Sequence, residues 1–148
     1  MVQRTTTTGV WTTNRIVALI AGIVFTLVGI LGLIFDTTSG SLLGFQVDFV
    51  HNLVHLVIGI LGLAAAYTGW PRTYNQVFGV IYIVLGILGL IPALYFSNKF
   101  LGIIAINGAD NGLHLVAGIV LAAVGFFVHD AMTRGMGTRA DNDTMTTP

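Results

Sequence analysis

Four long apolar runs, separated by short segments that carry most of the polar residues, organise the chain. They cover residues 14–35, 49–70, 74–96 and 109–128. Each reaches at least about 20 residues, and a helix rising about 1.5 Å per residue then crosses a hydrocarbon core of about 30 Å. Strands are excluded over the same stretches, because an open sheet edge leaves backbone groups unsatisfied in lipid. The first run exceeds the apolar stretch of a secretory signal, and no small-residue cleavage pattern follows it. It is therefore expected to be a retained helix.

Composition strengthens that reading. Hydrophobic residues make up 55% of the 148 and charged residues 8%, against about 25% charged in an ordinary soluble domain. So few charges cannot cover the surface of a water-soluble protein this small, so the expected solvent is the lipid bilayer. Net charge is zero, which gives no electrostatic case for nucleic acid. Cysteine is absent, which removes disulfides and thiol chemistry.

The basic residues fix an expected orientation. Arg4, Arg134 and Arg139 lie in the tails, Arg15 at the start of helix 1 and Arg72 between helices 2 and 3, whereas the other two loops hold only Lys99. By the positive-inside rule both termini face the cytoplasm. Trp11, Trp70 and Tyr74 are then expected at the inner interface. The polar tails, residues 1–13 and 129–148, are expected to be disordered.

The chain repeats itself. A shift of 57 positions carries Arg15 onto Arg72, and Gly22, Gly29 and Gly32 onto Gly79, Gly86 and Gly89. A shift of 59 carries Asn52, His55 and Gly59 onto Asn111, His114 and Gly118. Each copy is a helical hairpin, so both copies point the same way. The expected fold is an all-α membrane protein of four transmembrane helices, two parallel-repeated hairpins about a pseudo-two-fold axis along the membrane normal. Gly22, Gly29, Gly32, Gly79, Gly86 and Gly89, with Gly59, Gly62 and Gly118, mark helix faces for close packing; small residues would also leave room for a ligand cleft. Faces not used internally would serve a homo-oligomer or another membrane protein. The loop segments 42–48 and 100–107 also correspond. They are expected to pair as a small cap, with Asp48 and Asn107 as helix N-caps. Pro92 is expected to bend or end helix 3.

Two copies of Asn-x-x-His-x-x-x-Gly opening helices 2 and 4, each after a glycine-containing loop, resemble a family of small four-span bacterial membrane proteins defined only as a domain of unknown function. The resemblance covers residues 14–128. It implies an inner-membrane location and four helices, and it implies no activity.

Ionisable residues within membrane helices are functional-site candidates. Here they concentrate as His51, Asn52 and His55 on helix 2, matched to Asp110, Asn111 and His114 on helix 4. His51 and His55 share one helix face, as do Asp110 and His114, and each polar stripe continues into glycine. Three readings follow. The first is architectural: Asn and His hydrogen-bond across helices in a structural or accessory protein without catalysis. In the second, His51, His55, Asp110 and His114 bind a divalent metal such as zinc. In the third, His55 and His114 hold a haem. A pH-sensing role is a further possibility for these histidines. No charge occupies the middle of any span, which argues against a pump or secondary transporter.

Overall fold

The computed structural model describes residues 11–35 and 40–129. Arg4, Asp36, Asp130, Arg134, Arg139 and most of both tails lie outside them. Four helices dominate: α1 (Thr13–Phe35), α2 (Phe49–Thr68), α3 (Pro71–Leu88) and α4 (Gly108–Phe127). Three of them, α1, α2 and α4, are long and apolar enough to cross a membrane.

The helices pack chiefly as two antiparallel pairs, α1 on α2 and α3 on α4, with lighter contacts between pairs. Glycine makes this possible. A Cβ at Gly22 would stand 2.6 Å from the Leu63 nitrogen, and one at Gly29 2.6 Å from the Leu56 nitrogen. In the second pair a Cβ at Gly118 would meet the Ile83 nitrogen at 2.6 Å. Gly59 faces Thr26, Gly62 faces Tyr74, Gly79 faces Ala122 and Gly86 faces Leu115. Gly32 lies under the Asn52 side chain, as Gly89 lies under that of Asn111. All nine of the glycines singled out in the sequence thus lie against a neighbouring helix, and Gly125, which was not singled out, does so as well. Gly108 and Gly112 of α4 meet open space instead.

Polarity is inverted relative to a soluble core. Asn14, Asn52, Asn75, Asn111 and the three helix-start histidines are buried, whereas Ile20, Ile34, Val57, Val116 and Phe127 are exposed. Such a surface is stable only where the solvent is itself apolar.

Helix 3 departs from the apolar run. It starts at Pro71, three residues before Tyr74, because proline is pre-organised for a first helical turn. It ends at Leu88 rather than Phe96. Ile91, forced extended by Pro92, adopts φ −97° and ψ 105°, and a short 3-10 turn, Pro92–Leu94, follows. The run stayed apolar past the helix, so hydrophobicity alone did not mark its end.

The loops also differ from expectation. Segments 42–48 and 100–107 do not form strands with one another. β1 (Ser41–Leu42) pairs with β2 (Phe45–Gln46), and β3 (Tyr95–Phe96) with β4 (Lys99–Phe100), each a local hairpin. Both two-residue turns have positive φ at both positions, Leu43 and Gly44 in one, Ser97 and Asn98 in the other, which matches strand twist. Leu101 and Gly102 repeat the Leu-Gly turn in the second copy. Tyr74, one turn into α3, is buried, and its hydroxyl donates to the Ile58 carbonyl at 3.2 Å.

Candidate functional site

The two ends of the helix pairs carry different polar chemistry. At the end where α1 begins and α4 finishes, Asn75 Nδ2 donates to the Asn14 carbonyl and Oδ1, both at 3.1 Å, and Asn14 Nδ2 donates to the Val128 carbonyl at 3.0 Å. Arg72 Nε and Gln76 Nε2 both reach the Gly125 carbonyl at 3.0 Å. These side chains tie α1, α3 and α4 together and leave no evident site.

The opposite end is built by two N-caps. Asp48 accepts the His51 N–H at 2.9 Å, and Asn107 accepts those of Ala109 and Asp110, as the sequence anticipates. Bonds then cross between the copies. Gln46 N–H donates to Asp110 Oδ2 at 2.9 Å, Ala105 N–H to Asp48 Oδ2 at 3.0 Å, and Asn107 Nδ2 to the Gly44 carbonyl at 2.9 Å. Lys99 Nζ pairs with Asp48 Oδ2 at 2.9 Å. Burial raises the Asp48 carboxyl, but Lys99 and the His51 and Ala105 amides outweigh it and hold the group below its ordinary value. Each loop is thereby fastened to the start of the other copy's helix.

The six polar residues anticipated on α2 and α4 separate into three groups. Asn52 and Asn111 lie in the helix seams over Gly32 and Gly89, and Asn111 Nδ2 also donates to the Gly89 carbonyl at 2.6 Å. Asp110 serves the cap: the same Oδ2 takes the Gln46 and Asn107 N–H groups. His51, His55 and His114 converge, with one ring nitrogen from each lying within 4.8 Å of the others.

Partners assign the tautomers. His51 Nδ1 lies 3.0 Å from two carbonyls, Gln46 and Ala105. Carbonyls only accept, so Nδ1 carries the proton and Nε2 keeps its lone pair. His55 Nε2, 2.9 Å away, must then donate to it. That leaves His55 Nδ1 to accept from the Tyr82 hydroxyl at 3.4 Å. His114 Nδ1 is buried without a hydrogen-bond partner among the described residues.

Two aromatic residues frame the cluster, and sequence reasoning missed both. Phe25 and Tyr82 stack with centroids 5.0 Å apart and planes 3° from parallel. Tyr82 lies 5.1 Å from the His114 ring and Phe25 5.5 Å from His55. The same 57-position shift carries Phe25 onto Tyr82, so the repeat held the signal. A cavity of about 390 Å³ opens beside the cluster between α1 and α4, lined by all three histidines and Asp110 at one end and by apolar side chains elsewhere.

Three imidazole nitrogens at this spacing suit a tetrahedral metal. Zinc–nitrogen bonds of about 2.0–2.1 Å place ligand nitrogens about 3.3 Å apart, within side-chain adjustment of what is seen. The carbonyls behind His51 Nδ1 match the outer-shell bonds that orient metal-binding imidazoles, and the Tyr82 oxygen can serve His55 in the same way once the His55 proton sits on Nδ1. A haem fits poorly, because His51 Nε2 at 2.9 Å already occupies the space before His55 Nε2.

Fold and surface together define a helical protein of the membrane with a buried histidine cluster. A family model described as Domain of unknown function (DUF4383) matches residues 15–127, and the chain belongs to that family. No curated protein and no solved structure matches the chain.

Proposed function

We propose that the protein is a four-span protein of the bacterial inner membrane that binds one divalent transition-metal ion, best suited to zinc, through His51, His55 and His114. Both termini face the cytoplasm, and the site lies near the outer surface. The α3 helix completes the fourth span: its 18 residues reach about 27 Å alongside α4. The two hairpins are symmetry mates about an axis along the membrane normal, which would bring His55 and His114 face to face.

The observation that carries the metal reading is the convergence of three ring nitrogens within 4.8 Å. A purely architectural role accounts for Asn52, Asn111 and Asp110, whose contacts hold helices and loops. It leaves unexplained why three imidazoles share one buried place while His114 Nδ1 lacks a partner. A buried polar atom without a partner costs about 1–3 kcal/mol, and a ligand that uses that ring would recover part of it. Asp110 is committed to two amides and serves the site by fixing the helix start rather than as a first ligand.

Metal analysis of the purified chain after zinc reconstitution and dialysis tests this reading. The expected result is one zinc per chain, lost in His51→Ala and His114→Ala while helicity by circular dichroism is kept. A folded wild-type protein that retains no zinc would overturn it.

A further inference from the structure

The cavity beside the cluster has a shape and a lining that no architectural role requires. Its volume, about 390 Å³, falls in the range of about 300–1,000 Å³ typical of small-molecule sites. Phe25 of α1, Ala117 and Leu121 of α4, and Leu42 and Phe45 of the first hairpin form apolar walls. The polar lining residues are His51, His55, His114 and Asp110, and all four belong to the first two turns of α2 and α4. The cavity is therefore a slot with one polar end.

Its mouth faces sideways. Ile20 and Val24 of α1, and Leu113 and Val120 of α4, line the cavity and are exposed on the outer surface of the helices. In a bilayer those positions meet acyl chains, so a molecule dissolved in the membrane can enter without passing through water.

The polar end specifies the head of that molecule. The Gln46 and Ala105 carbonyls and the Tyr82 hydroxyl already stand behind His51 and His55. A metal held by three imidazoles keeps a fourth position, and the cavity is the open volume that the three rings share. Asp110, the one carboxylate lining the slot, gives its Oδ2 to two amides and lies outside the group of converging ring nitrogens, so a divalent ion there still calls for a negatively charged ligand. From these observations we infer that the slot binds a long-chain carboxylate drawn from the bilayer. Its chain lies between α1 and α4, and its carboxylate fills the fourth coordination position of the metal. This inference rests on the metal site proposed above.

Radiolabelled palmitate is the probe, with the full chain in phosphatidylcholine nanodiscs and the zinc content of each sample measured alongside. Saturable binding is expected for the zinc-loaded protein, at least tenfold weaker after zinc is stripped. Hexadecanol, with the same chain and no carboxylate, should fail to compete. Ala117→Phe, which fills the slot, and Val24→Trp, which closes its mouth, should each lower palmitate binding at least tenfold and keep full zinc. Zinc-loaded protein that binds no palmitate, binding that is indifferent to zinc, or binding that survives both substitutions would overturn the inference and leave the metal site standing. A chain that takes up no zinc would remove the metal site, and the inference with it.

Discussion

The Nε2 atoms of His51 and His55 face each other at 2.9 Å, one turn apart on α2. Each ring is held from behind, His51 by the carbonyls of Gln46 and Ala105 and His55 by the Tyr82 hydroxyl. The lone pair of His51 Nε2 thus meets the proton of His55 Nε2, and a metal ion takes that proton's place once the His55 proton moves to Nδ1, where the Tyr82 oxygen can accept it.

Tyr82→Phe isolates the support behind His55. The substitution keeps the ring that stacks on Phe25 and removes the hydroxyl. Outer-shell partners of metal-binding histidines are worth about 10–100-fold in affinity. The contact is long at 3.4 Å, so the expected loss is about tenfold, at the lower end of that range. Competition against a chelator of known zinc affinity reads it.

Close helix approach should be intolerant of a single methyl group. In Gly29→Ala the new Cβ would lie 2.6 Å from the Leu56 nitrogen and 2.8 Å from the Asn52 carbonyl oxygen. Both are backbone atoms, so α1 and α2 must separate, at a cost of about 1–3 kcal/mol. Gly112→Ala meets nothing within 4 Å and should be neutral or stabilising by up to about 1 kcal/mol through helix propensity. Thermal unfolding in detergent should rank the two variants in that order.

Stability should depend on acid pH through Asp48. Burial raises its carboxyl, but Lys99 and two amides prevail and lower it below the ordinary 3.8. A carboxyl lowered in the folded state stabilises above the unfolded value and loses that contribution as pH falls through the folded value. The melting temperature should therefore hold down to about pH 4 and then decline. Asp48→Asn should start lower at neutral pH and show a shallower decline. An identical acid profile in the two proteins would refute the assignment.

Asp110 should govern the loops more than the ligand. Its Oδ2 accepts the Gln46 and Asn107 amides at 2.9 and 2.8 Å. Asp110→Ala strands both, at about 1–3 kcal/mol. Hydrogen exchange at these two amides should accelerate, while amides in the middle of α1 and α3 keep their protection.

Much of this was legible in the sequence, and the failures have physical causes. Apolar runs located α1, α2 and α4 to within two residues because their ends coincide with polar caps, such as Asp48 and Asn107. The end of α3 was missed because Leu90 and Ile91 continue the apolar run while Pro92 terminates the helix. The loops were expected to pair with each other as a small cap, and the two local hairpins went unseen because a Leu-Gly turn gives no hairpin signal of the Asn-Gly kind. Leu43 has a positive φ of 53°, a conformation that bulky side chains seldom adopt. The matching Asn and His of the two copies marked the helix ends at which the structure gathers the three histidines. Nothing in sequence spacing separated Asp110 from the three histidines, because capping and coordination place a carboxylate at the same helix position. Phe25 and Tyr82 stayed hidden because an aromatic residue in an apolar run reads as lipid-facing until its neighbours are known.

X-ray absorption at the zinc edge of the reconstituted chain tests the metal site most directly. The account predicts three imidazole scatterers at about 2.0–2.1 Å with one oxygen in the fourth position, and a shell altered by His114→Ala. A spectrum with oxygen ligands alone, or one indifferent to that substitution, would contradict it.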